Sequence, residues 1–183
     1  LGAEVEVLPP PFPAEKLWFA WTTLRAMLNS NGKRAVYDDP AKRAQLKPET
    51  VWEIEQGLGL SADAVYAASE IRSRWYARAA GLFDRFDALV MPSAQVWPFP
   101  VEWRWPEAIN GRVMDTYHRW MEVVIPVSLL GLPSLNVPVG FGANGLPMGM
   151  QIFCRFGADA AVLAIGQQYH LATHLPGRPP PTR

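Results

Sequence analysis

Cysteine is almost missing from this chain: Cys154 stands alone among 183 residues, so no intrachain disulfide scaffold is available. It sits in the apolar run MGMQIFCR, where a lone thiol reads as a small buried hydrophobe rather than a nucleophile. Histidine is nearly as scarce. His118, His170 and His174 fall in no HxH or HExxH spacing and no CxxC exists, so neither a metal site nor a cofactor is expected. Net charge is absent as well. Seventeen basic residues balance seventeen acidic ones and the sequence pI is near 7, which leaves no long-range field to gather nucleic acid or anionic lipid. No apolar run is long enough for a membrane span, and no charged start followed by an apolar block marks a signal peptide, so a soluble cytoplasmic protein is the expectation.

What is present is a chain of the length of one ordinary domain, able to bury about 70% of the surface its unfolded form would expose. The opening LGAEVEVLP does not begin with Met; Gly2 reads as a helix C-cap and Ala3 to Leu8 as an alternating strand entered midway, which implies a truncated protein with more chain upstream. After the prolines of PPPFP, a helix from Ala14 is expected to face inward through Leu17, Trp18, Trp21, Leu24, Arg25 and Leu28. Residues 33–47 read as a loop with one short helix. Pro48 suits the first turn of a further helix, and Ser61 caps the longest one, with its stripe Val65, Ala68, Ile71, Trp75, Ala79, Leu82 and Phe86.

The period then changes. ALVMP, ending at Pro92, is a short continuous apolar run of the kind covered on both faces in a mixed or parallel sheet. The loop after it, SAQVWPFPVEWRWPEAINGR, gathers Trp97, Phe99, Trp103 and Trp105 among prolines without a regular period; it can wall a ligand pocket or fold over its own aromatics as a lid. A helix is expected over 114–129, terminated or kinked at Pro126. Leu135 to Phe141 and Met148 to Phe153 form a hairpin about Asn144-Gly145, its first strand an edge or bulged at Pro138. A last helix should lay Ala160, Leu163, Ala164, Gln167 and His170 against the sheet. Residues 1–174 thus form one α/β domain, part of a mixed central β-sheet flanked by helices, and 175–183 a proline-rich tail.

The residues alone assemble no catalytic set. Glu102, Glu107 and Glu122 lie nearest the aromatic loop, but nothing pairs them as acid and base; Ser93, Ser128 and Ser134 lack a G-x-S-x-G setting; phosphate-binding glycine motifs are absent. A resemblance supplies more. IPVSLLGLPSLNVPVGFGANGLPMGMQIFCRF and the preceding FDRFDALVMPSAQVWPFP resemble the C-terminal part of the amidase signature family, strongly from Phe83 to His170 and by pattern before that. The resemblance implies hydrolysis of carboxamide C–N bonds through a serine, a bridging cis-serine and a lysine that this stretch does not contain, so no catalytic residue is carried over. It also implies that this half of the fold walls the substrate pocket, through Trp97 and Phe99, through Trp120 and Met121, and through Gly131, Leu132 and Pro133 beneath them. Near the position where tRNA-dependent amidotransferases carry a carboxylate stands Met121, or at best its neighbour Glu122, and Ser128 replaces a usual asparagine; an apolar Met121 favours a less polar amide over transamidation. The partners implied are a small amide substrate and the upstream half, with self-association through an uncovered sheet edge as another outcome. A non-catalytic interaction module and a component of a tRNA-dependent amidotransferase remain the alternatives.

Overall fold

Helix-forming stretches in the first half are long enough to bury a face each, and they close on one another. The computed structural model describes residues 2–177, which fall into two compact units, Pro10–Arg78 and the rest of the chain. The helical unit contains α1 (Ala14–Gly32), the short α2 (Arg34–Tyr37) and α3 (Pro40–Arg43), and α4 (Pro48–Leu58), and it includes most of α5 (Ala62–Leu82). Pro48 does occupy the first turn of α4, where its missing N–H costs nothing, and Ser61 Oγ accepts from Ala64 N at 3.1 Å to start α5.

The buried line of α1 differs from the expected one. It runs through Leu17, Ala20, Thr23, Ala26 and Ser30, whereas Leu28 is exposed. The reason is a close helix crossing: a Cβ built on Gly57 of α4 would lie 2.2 Å from the Ala26 carbonyl and 2.6 Å from Ser30 Cβ, so only small side chains fit between the two axes. Ile54 of α4 is fully buried, and its neighbour Glu53, also buried, pairs with Arg25 at 2.6 Å.

The second unit holds the sheet. Strands β1 (Leu89–Pro92), β4 (Ser134–Phe141) and β5 (Pro147–Phe153) pair antiparallel in the order β1-β5-β4, with a separate ribbon of β2 (Ala108–Ile109) and β3 (Arg112–Val113). The α/β class is as expected. Helix α7 (Asp159–Thr173) covers one face, packing Val162 with Val137, Ile152 and Cys154. The bulge expected at Pro138 is present as a register shift between Pro138 and Gly140, and the freed Pro138 carbonyl accepts from Tyr169 Oη of α7 at 2.9 Å.

Several expectations need correction. Residues 3–10 form no ladder, and Val5 and Val7 are 90% and 92% exposed; alternation alone makes no strand without a neighbour to pair with. β1 is an outer strand whose Val90 is 57% exposed, so it is not covered on both faces. The face of α7 named from the sequence is the outer one, with Leu163 60% exposed, and the inner one carries Val162, Ile165, Gly166 and Tyr169. The β4–β5 loop is not a two-residue turn: Gly145 takes φ +72°, Asn144 does not have positive φ, and Gly142 N bonds the Leu146 carbonyl at 2.9 Å. The two-residue reversal is instead at Asn110-Gly111, with φ of 48° and 77°, inside the loop read as irregular. Leu175–Gly177 make a short 3-10 turn, and the rest of the expected tail lies outside the described residues. Among the described residues no helix is long and apolar enough to cross a membrane.

Candidate functional site

The strand-to-loop exit at Pro92 and the segment before β4 build the candidate site. Phe99 lies against the edge of Trp120, with ring centroids 5.3 Å apart and planes at 88°, and stacks on Trp103 at 6.3 Å. Such an edge-to-face pair contributes about 0.5–1.5 kcal/mol beyond the area it buries. Trp105 and Tyr117 make a second edge contact at 5.8 Å. The β2–β3 ribbon ties this loop back to itself through Met114 N to the Glu107 carbonyl at 2.8 Å.

Trp120 and Met121 belong to a 3-10 turn, Arg119–Val124, that leads into α6 (Ile125–Leu130). This replaces the single helix expected over 114–129. Pro126 does not end a helix but sits in the first turn of one, where it removes no intrahelical bond. Within the turn Met121 leaves helical geometry at φ −106°, ψ 15°.

Two residues that sequence reasoning passed over hold this turn. Gln95, near the start of the loop, donates from Nε2 to the Arg119 carbonyl at 3.0 Å and accepts at Oε1 from Val123 N at 3.0 Å. Arg119, whose side chain is 6% exposed, donates to Asp115 at 2.9 and 3.0 Å and to Glu122 at 3.2 Å. Arg112 approaches the same Glu122 at 3.6 Å. The hydrogen bond from Arg119, together with its nearby charge and against a burial penalty, holds the Asp115 carboxyl below the usual carboxylate range. Burial works against the Arg119 charge, but the bonds to Asp115 and Glu122 outweigh it and raise its affinity for the proton. The spacing Asp115, Arg119, Glu122 is a readable i,i+4 and i,i+3 signal; Gln95 carries no comparable one.

The other expected wall residues stand apart from this corner. Trp97 is 48% exposed and lies over Gly142, where a Cβ would come within 3.0 Å of its ring. Gly131 closes α6 in the left-handed region at φ 64°, and the Pro133 carbonyl accepts from Cys154 N at 3.1 Å. Trp97 is therefore at the tip of the β4–β5 hairpin and Gly131, Leu132 and Pro133 are at its base, with the whole of β4 between them. Cys154 itself is fully buried, and desolvation with the nearby Asp87 charge pushes its thiol up, away from reactivity.

Residues 2–163 match the family described as Amidase. The chain belongs to the amidase family. Among curated relatives, an indoleacetamide hydrolase of Allorhizobium ampelinum is 41% identical over 81 residues, 44% of this chain and 18% of that one. A glutamyl-tRNA(Gln) amidotransferase component of Symbiobacterium thermophilum is 39% identical over 100 residues, 53% of this chain and 19% of that one. Among solved structures, a bacterial aryl acylamidase of the amidase signature family superposes with a TM-score of 0.76 at 25% identity, over 92% of this chain and 37% of its own. The matched stretch is under a fifth of the length of each of these two curated relatives.

Proposed function

We propose that this chain is the sheet and pocket-wall portion of a hydrolase of carboxamide C–N bonds, and that its substrates are weakly polar amides with an aromatic group. The observation that carries the reading is the Phe99–Trp120 corner, 5.3 Å between rings, inside the region matched to the amidase family. Phe99, Trp120 and Met121 are the proposed wall, an apolar surface on which an aromatic ring packs and from which water is excluded. Trp97 braces the loop on Gly142, and Gly131, Leu132 and Pro133 set the course of the chain into β4. An uncharged Met121 has nothing to offer an α-ammonium group, which favours simple amides over glutamine. Relatives named for indoleacetamide and aryl acylamides fit the same chemistry.

In this reading a serine outside these residues attacks the amide carbon, the tetrahedral oxyanion collapses with loss of the protonated amine, and water then hydrolyses the acyl-enzyme to free acid and serine. The present residues pack against the aromatic group, on the acyl or the leaving-group side, and keep bulk water from the reacting amide. The partner is then the upstream part of the same fold, in a cytoplasmic protein in which Cys154 stays reduced. The test is ammonia release from indole-3-acetamide and aniline release from acetanilide, by the 183-residue chain and by the polypeptide of its whole reading frame. Only the longer polypeptide should turn over, and Phe99→Ala should lower its kcat/KM on both. Equal hydrolysis by the short chain, or none by either, removes the proposal.

A further inference from the structure

Local preference over residues 119–124 favours an α-helix, and the bond that would close its first turn runs from Val123 N–H to the Arg119 carbonyl. The 3-10 turn does not use that pairing. Each group goes instead to one side chain, Gln95, whose Oε1 accepts from Val123 N at 3.0 Å while its Nε2 donates to the Arg119 carbonyl at 3.0 Å. A side-chain amide from a different part of the chain is thus inserted between the i and i+4 groups of a helical turn, and such insertion is a physical cause of kinks. The neighbouring bonds take the 3-10 pattern, Arg119 N to Thr116 and Met121 N to His118 at 3.1 and 3.0 Å. Met121, inside the opened turn, takes φ −106°, ψ 15°.

Pro126 does not account for this. Lacking an N–H, it removes the bond to the Glu122 carbonyl, one turn later, and leaves Val123 free to reach Arg119. The buried Arg119 guanidinium acts on the side chains of Asp115 and Glu122, which are not the two ends of the displaced bond. Gln95 also lies four residues before Phe99, in the same loop. One amide therefore anchors both halves of the aromatic corner, the loop that carries Phe99 and the turn that carries Trp120 and Met121.

We infer that Gln95 is a positioning residue that selects the acyl group by holding the Arg119–Val124 turn open, so that Met121 and Trp120 present their side chains in the opened rather than the helical arrangement. The selection clause rests on the hydrolase reading above; the structural clause does not. Without the amide, Val123 N–H closes on Arg119, Met121 rotates about the helix axis, and Trp120 leaves the edge of Phe99.

The test has two arms. In the 183-residue chain, NMR should show contacts between the Gln95 side-chain NH2 and the Val123 amide, and between Phe99 and Trp120 ring protons. In Gln95→Leu, and in the softer Gln95→Met of nearly equal length, the Phe99–Trp120 contacts should vanish and the Met121 Cα shift should move to the helical range. Wild type without the Gln95–Val123 contact, or folded variants that keep both the Met121 shift and the ring contacts, would overturn the inference. In the longer polypeptide, Gln95→Met should lower the ratio of kcat/KM for indole-3-acetamide over acetamide, which differ only in the acyl group, by about tenfold or more, and an unchanged ratio overturns the selection clause. If wild type hydrolyses neither amide, the catalytic reading fails together with that clause, and the NMR arm still decides whether the amide opens the turn.

Discussion

Replacing Arg119 by Met isolates what the buried guanidinium contributes at the candidate site. Its side chain is 6% exposed, Glu122 is 18% exposed and Asp115 57%. Removing one partner of a buried ion pair costs about 3–5 kcal/mol because the other charge is left without compensation. Here the lower end applies, since Glu122 keeps Arg112 at 3.6 Å and Asp115 turns mostly to water. The expected loss is about 3 kcal/mol, which for a chain of this size lowers Tm by roughly 6–12 °C. The sign of the pH dependence follows from Asp115, whose folded pKa is lowered mainly by its bond from Arg119. Such a carboxylate adds stability above its unfolded pKa of about 3.9 and loses it as pH falls through the folded value. The gap between wild type and Arg119→Met should therefore be full at pH 7 and shrink below about pH 4. Urea unfolding at both pH values, followed by Trp fluorescence and by circular dichroism to detect separate transitions, measures it. A gap under about 0.5 kcal/mol at pH 7, or one that widens in acid, would refute the assignment of a compensated buried charge.

Gly57→Ala should destabilise by about 1–3 kcal/mol, because the new methyl meets the Ala26 carbonyl at 2.2 Å and backbone cannot yield as a side chain would; the gain in helix propensity of about 1 kcal/mol offsets only part, and calorimetry reads the balance. On α7, Gly166→Ala should cost about 1–2 kcal/mol, since its Cβ would lie 2.1 Å from Leu135 Cδ2 and that rotamer must move. Leu163→Ser, on the outer face, should change stability by less than about 0.5 kcal/mol in the same urea assay. The reverse order would restore the face expected from sequence.

Helices α1 and α7 show what sequence carries and what it hides. The positions of α1, α4, α5 and α7 follow from periodicity and from Pro48 and Ser61, which act locally. Which face of α1 and α7 turns inward does not, because the closest packing in both places uses glycine: Gly57 against Ala26 and Ser30, Gly166 against Leu135. A glycine has no hydropathy to speak of, so a search for large apolar side chains selects the face that the glycine leaves outside. The two Asn-Gly pairs follow the same logic. Asn144-Gly145 lies between strands long enough to notice, yet its loop is held by the bond from Leu146 N to Asn144 Oδ1 at 3.1 Å rather than by paired positive φ. Asn110-Gly111 makes the tight turn between strands of two residues, too short for any alternation to show.

At the candidate site the difference has another origin. A helix over 114–129 is a fair reading of local preference, and local preference is overruled by a side chain 24 and 28 residues away along the chain. Aromatic content marks the loop and the turn as places of interest, and Phe99 and Trp120 do meet. Sequence does not show that the residue joining them is an uncharged amide at the start of the loop. A helix needs its own carbonyl and amide to pair; Gln95 offers both ends of a peptide-like group to the same two atoms, so the competing structure sacrifices no hydrogen bond. The exchange can therefore be made at little cost in stability, which is why departures from local preference can be retained where shape matters for binding.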